Sequence, residues 1–180
     1  VITKQQAQEA LIQIELTQQR SAELIGYWRS GIYVQVWGVV WIIAYLSCFF
    51  MPVNSGSIWL ICDAIGGIAT VILSIRDRKN EKQDKRITWA IVIIAAFGIL
   101  VSTLISNRPG ALPVFWTFLI MACYMLSGLW FGIRWIILGA TVIALCMVTY
   151  LNFMPWFNLI MAIAGGGGLL LGGTWIARAK

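Results

Sequence analysis

The chain contains no histidine. Haem ligation by imidazole and every catalytic scheme that needs a histidine base are therefore excluded. Charge is also scarce, at 11% of 180 residues, where a soluble domain carries about 25%. Of the seven acids only Asp63 falls inside an apolar run. The four cysteines (Cys48, Cys62, Cys123, Cys146) lie in or at the ends of apolar runs and lack Cys-x-x-Cys spacing. They read as small buried hydrophobes, so no metal site or redox pair is expected. No Lys or Ser/Thr follows the glycines in phosphate-loop spacing. With no nucleophile–base pair and no cofactor fingerprint, an enzyme is not expected and no cofactor is implied.

What the sequence has in excess is apolar surface. Hydrophobic residues make up 60% of it and the mean hydropathy is +0.84. A soluble core of this size cannot bury so much, so the surplus faces lipid. Six apolar runs, near 31–50, 57–75, 87–105, 113–131, 135–151 and 156–176, each approach the ~20 residues a helix needs to cross ~30 Å of hydrocarbon. The stretch 113–151 must fold back, and Gly132-Ile133-Arg134 is its natural turn. The expected fold is an all-α integral membrane domain of six transmembrane helices over 31–180. A separate helix within 1–30 precedes it.

That first helix, over 3–27, is polar and mixed in charge. It has neither the basic tip nor the short apolar core of a secretory signal, so the first apolar run is expected to stay in the membrane. Thr3 and Gln6 fit a capping box, and Ala7, Leu11, Ile14, Ile25 and Trp28 share one face. Gln18 and Ser21 interrupt the stripe, which suits docking on the protein's own surface, on headgroups or on a partner more than a coiled coil.

Orientation follows from the cations. Six of the thirteen lie in the run Arg76–Arg86, and lysines and arginines near span ends stay in the cytosol. With the amino terminus inside, Lys4, Arg20, Arg29, those six, Arg134, Arg178 and Lys180 are cytosolic, twelve in all, against Arg108 alone outside. Both termini are thus expected in the cytosol and the protein in the cell inner membrane. Eight of the ten tryptophans, among them Trp28, Trp89, Trp130 and Trp175, lie near span ends, as an interfacial belt requires. The positive charge of +6 is spent on topology, and no nucleic-acid partner is expected.

An internal repeat is visible. Shifting the chain by 40 residues aligns Trp116–Gly132 with Trp156–Gly172, and eight of the seventeen positions match. Leu60-Ile61-Cys62-Asp63 stands where the other two copies read Leu-Ile-Met-Ala, and Pro52, Pro109 and Pro155 mark the three outer loops. Three tandem hairpins about an axis along the membrane normal are expected. Three hairpins in under 200 residues, with a proline after the first helix of each and glycines in the second, resemble the HdeD-type acid-resistance membrane proteins. The resemblance spans most of 31–177 and implies a small bacterial inner-membrane protein tied to acid stress, without a catalytic site.

Two groups of residues are candidates for function. Asp63 with Gly66, Gly67, Thr70 and Ser74 forms a polar, small-residue seam, which belongs against helices or water. Arg108, the only cation on the outer side, is its expected ion partner. The alternatives are a neutral carboxyl and a structural hydrogen bond to a neighbouring helix. Gly128-x-x-x-Gly132, Gly168-x-x-x-Gly172 and Gly165 are expected to bring helices close, within the bundle or in an oligomer. The aromatic line Tyr33, Trp37, Trp41, Tyr45 suits packing more than a ligand slot. These features point to an interaction or assembly component in the membrane, a homo-oligomer or the partner of another membrane protein. The rival is a small-solute, ion or proton transporter with Asp63 in its pathway.

Overall fold

The computed structural model describes Gln13, residues 30–77, 85–108 and 110–178, without the side chains of 77 and 85–88. The expected helix 3–27 and most of the charged connection after the second helix lie outside the described residues. Among those described, the chain is all helix and turn: α1 (Ser30–Phe50), α2 (Ser55–Asp77), α3 (Lys85–Ile105), α4 (Ala111–Phe131), α5 (Ile133–Asn152) and α6 (Met154–Ala177). Short 3-10 turns, Pro52–Asn54 and Met154–Trp156, lead into α2 and the body of α6. Proline suits both positions, since the first turn of a helix has no intrahelical use for its N–H.

Five of these helices are long and apolar enough to cross a bilayer; in α3 the corresponding apolar stretch is Trp89–Ile105. Large apolar side chains lie exposed along them, Leu60 at 73% and Leu104 at 77% among them. Water would not tolerate such a surface, whereas lipid is its natural solvent. The protein is membrane-embedded.

The core is built by four of the helices. In α1 six of the buried positions, Gly31, Val34, Gly38, Trp41, Tyr45 and Cys48, are alternately three and four residues apart, which makes a straight seam, with Val40 and Ala44 buried beside it. On α6 the matching seam is Ala162, Gly166, Leu169, Gly173 and Ile176. The two helices meet backbone to backbone. A Cβ added to Gly31 would lie 2.5 Å from the Gly173 carbonyl oxygen, and one on Gly38 would lie 3.0 Å from that of Gly166. Lipid tails are as apolar as leucine, so burial alone does not draw membrane helices together; close van der Waals packing does. Glycines seven residues apart on both partners supply it.

The third and fourth core helices, α4 and α5, form a tight hairpin turned at Gly132, whose φ of 110° favours glycine. Its N–H donates to the Gly128 carbonyl at 2.9 Å. Gly128 lets Ile136 approach, and Gly139 on α5 receives Met125 and the Met121 backbone. At the same end Arg134 donates to the Trp175 carbonyl at 2.6 Å and its guanidinium lies 5.2 Å from the Trp175 ring centre. A cation is well placed there, at the carbonyl end of α6.

The α2 and α3 helices are peripheral. Among their described side chains each contributes one buried residue, Gly66 and Gly98 respectively, and each rests on the core at that glycine. Gly66 faces Val40 and Trp37 of α1, and Gly98 faces Trp116 and Leu119 of α4.

One departure from the α-helix has a large effect on packing. Met161–Gly166 winds as a π-helix, whose extra residue per turn rotates everything beyond it by about 100°. Up to its first residue, positions 40 apart face alike: Thr117 and Phe157 are buried, as are Met121 and Met161. Beyond it they part company. Leu169 is 1% exposed but Leu129 68%, and Gly128 is packed whereas Gly168 has no atom within 4 Å of an added Cβ. The run Gly165–Gly168 is therefore continuous helix rather than a break, with Gly165 and Gly166 inside and Gly167 and Gly168 on the outer side.

Candidate functional site: a carboxylate seam on the rim of the bundle

The α2 helix docks on α1 through two residues seven apart. Trp59 packs edge-on to Tyr45 with ring centres 4.9 Å apart, and Gly66 admits Val40 and Trp37. Beside this line runs a second one at 7-4-3-4 spacing: Gly56, Asp63, Gly67, Thr70 and Ser74. Helical geometry puts all five within about 60° of one another. Thr70 donates its hydroxyl to the Gly66 carbonyl at 2.8 Å, so its methyl, not its proton, is offered outward. Gly56 and Gly67 have no atom within 4 Å of an added Cβ.

Asp63 is exposed at the surface of the bundle. It lies eight residues into α2, about 12 Å along the axis from Ser55 at 1.5 Å per residue. The expected pair with Arg108 is not formed. Arg108 ends the turn after α3, where its N–H donates to the Ile105 carbonyl at 2.9 Å. That helix leans on α4 at Gly98, while α2 leans on α1 at Gly66. An ionised carboxylate alone at mid-membrane costs about 2.5–3.5 kcal/mol on insertion scales, and nothing described in this chain offsets that.

The remaining predicted glycines divide by role. Gly66, Gly128 and Gly172 are packing positions within the chain, Gly172 meeting Leu138 of α5. Gly165 lies 3.8 Å from Trp41 by its added Cβ, Gly132 is a turn rather than a helix face, and Gly67 and Gly168 meet nothing. Gly31, Gly38 and Gly173, where α1 and α6 meet backbone to backbone, were not among the expected packing glycines. Their seven-residue spacing was the available signal.

Among the described residues two threonines, Thr117 and Thr149, are buried, and the first of them closes a side-chain hydrogen bond between helices. Tyr45 and Thr117 share a hydrogen bond at 3.0 Å, both 1% exposed. Trp41, Trp59 and Phe157 set their rings edge-on around Tyr45. The aromatic line on α1 is thus packing at Trp41 and Tyr45. Thr117 escaped sequence reasoning because a lone threonine in an apolar run carries no pattern. Near the Gly132 turn the Trp135 indole N–H is buried without a hydrogen-bond partner. Among the described residues no group of three His, Cys, Asp or Glu side chains is gathered as for a metal. Comparison with protein-family models, with curated proteins and with solved structures gives no match.

Proposed function

We propose that this chain is a non-catalytic multi-pass protein of the inner membrane that acts as an assembly component. In this reading it crosses six times as three hairpins with both termini in the cytosol. It binds its own copies or another membrane protein through the α2 rim and through residues 3–27. The observation that carries the reading is Asp63, an exposed carboxylate within a helix long and apolar enough to cross a membrane, beside two open glycines. A surface of that kind is poorly matched to lipid and well matched to a neighbouring helix. By the resemblance to HdeD-type proteins, the assembly serves acid stress.

Transport along Asp63 is the weaker reading. Asp63 sits on the rim, while Tyr45, Thr117 and Phe157 fill the interior with at most 4% exposure each.

Extracted from its own membrane in mild detergent, the full chain is expected to run as a particle heavier than one copy with its detergent belt. Deleting residues 1–27 is expected to reduce it to a monomer. A monomer both with and without that segment overturns the proposal.

A further inference from the structure

The rim of α2 has a charge pattern that selects its occupant, on the reading that this protein is an assembly component. Asp63 is exposed, and no lysine or arginine occurs within any of the apolar spans. A second copy of the chain therefore has no cation to bring to it at that depth. Two copies joined along this seam about an axis normal to the membrane would set Asp63 against Asp63. They would also bring together two connections, Arg76–Arg86, each with six cations against three acids. Like charges would oppose at both depths. A helix with the opposite pattern would be attracted at both.

We infer that the seam Gly56, Asp63, Gly67, Thr70, Ser74 is the docking site for a transmembrane helix of a different protein, one with a lysine or arginine inside its span at the depth of Asp63 and acidic residues at its cytosolic end. The glycines make the fit possible. Gly56 and Gly67 flank Asp63 by seven and four residues and leave open space beside the backbone. A partner helix can thus approach closely enough for a charge-assisted hydrogen bond, which lipid cannot screen. Thr70 presents a methyl because its hydroxyl is engaged with the Gly66 carbonyl, so it adds shape without a competing donor. The adjacent docking line, Trp59 and Gly66, holds α2 on α1 and leaves this face outward.

The test uses the full chain, reconstituted in phosphatidylcholine vesicles, and synthetic transmembrane peptides. One peptide is a leucine–alanine helix with a single lysine as far from its outer end as Asp63 is from Ser55 and an acidic cytosolic tail. Its controls replace the lysine by leucine or by glutamate. Energy transfer between labelled protein and labelled peptide should show the lysine peptide associating at least tenfold more tightly than either control. Asp63→Leu should abolish that preference, Asp63→Glu should keep it, and Gly67→Leu should weaken association several-fold. Because the controls also vary the peptide, the lysine preference reads the site even where a protein variant folds poorly. Equal association of the three peptides overturns the inference. So does transfer between two labelled copies of the chain that exceeds transfer to the peptide and is lost in Asp63→Leu, since the occupant is then the chain itself. A native assembly that keeps its mass in Asp63→Leu removes this seam while leaving the assembly reading in place.

Discussion

Gly166→Leu is expected to destabilise the bundle by about 3 kcal/mol, at the upper end of what overpacking costs. Even a methyl group at Gly166 would lie 2.6 Å from the Ile42 Cγ1 and 2.9 Å from its backbone nitrogen. A leucine there pushes α1 and α6 apart along their whole seam, and the Gly31–Gly173 and Gly38–Gly166 contacts separate with it. Between membrane helices close contact supplies most of the attraction, so its loss is not offset by burial elsewhere. Gly168→Leu, two residues on, meets nothing within 4 Å and is expected to be neutral. The comparison is an unfolding titration with sodium dodecyl sulfate in mixed micelles. If both variants unfold at the wild-type midpoint, the backbone contact of α1 with α6 is not what holds the bundle.

Tyr45→Ala is expected to lose about 3–5 kcal/mol, the range for truncating a large aromatic in a core. Tyr45 is the point where α1, α2, α4 and α6 meet: Trp59 on one edge, Trp41 and Phe157 on others, and Thr117 at the hydroxyl. Tyr45→Phe keeps the rings and removes only the hydrogen bond, which in membrane proteins is worth about 0.6 kcal/mol on average. Thr117→Val should do more harm than Tyr45→Phe, because it strands the tyrosine hydroxyl in an apolar interior, at about 1–3 kcal/mol. The double variant, Tyr45→Phe with Thr117→Val, should recover part of that loss. Additive effects across this cycle, measured in the same titration, would show that the hydroxyls do not interact.

The helices themselves were largely legible, because lipid demands long uncharged runs. The expected spans near 57–75 and 135–151 became Ser55–Asp77 and Ile133–Asn152, differing only at the ends. Partner choice was much less legible. In water a helix shows its buried face by contrast with a polar one, whereas here leucine and isoleucine cover both. Leu129 and Leu169 read alike and differ 68% to 1% in exposure. The π-helical turn that separates them leaves no pattern beyond a run of glycines. Attention to four-residue glycine spacing also passed over the seven-residue pairs Gly31–Gly38 and Gly166–Gly173. For Asp63 the apolar run around it singles out the residue, but whether Arg108 can pair with it depends on which core helix each peripheral helix rests against. That is a property of the folded bundle alone.

The contact of Gly31 with Gly173 and Ala177 sets the first membrane helix against the end of the last. The two ends of the core are therefore neighbours, and the order of its helices has no obligatory beginning. A chain in which a short strap joined Ala177 to Ser30, with new ends opened between Asp77 and Lys85, would keep every core contact described here. Continuity of the polypeptide matters less to this architecture than which helices lie side by side.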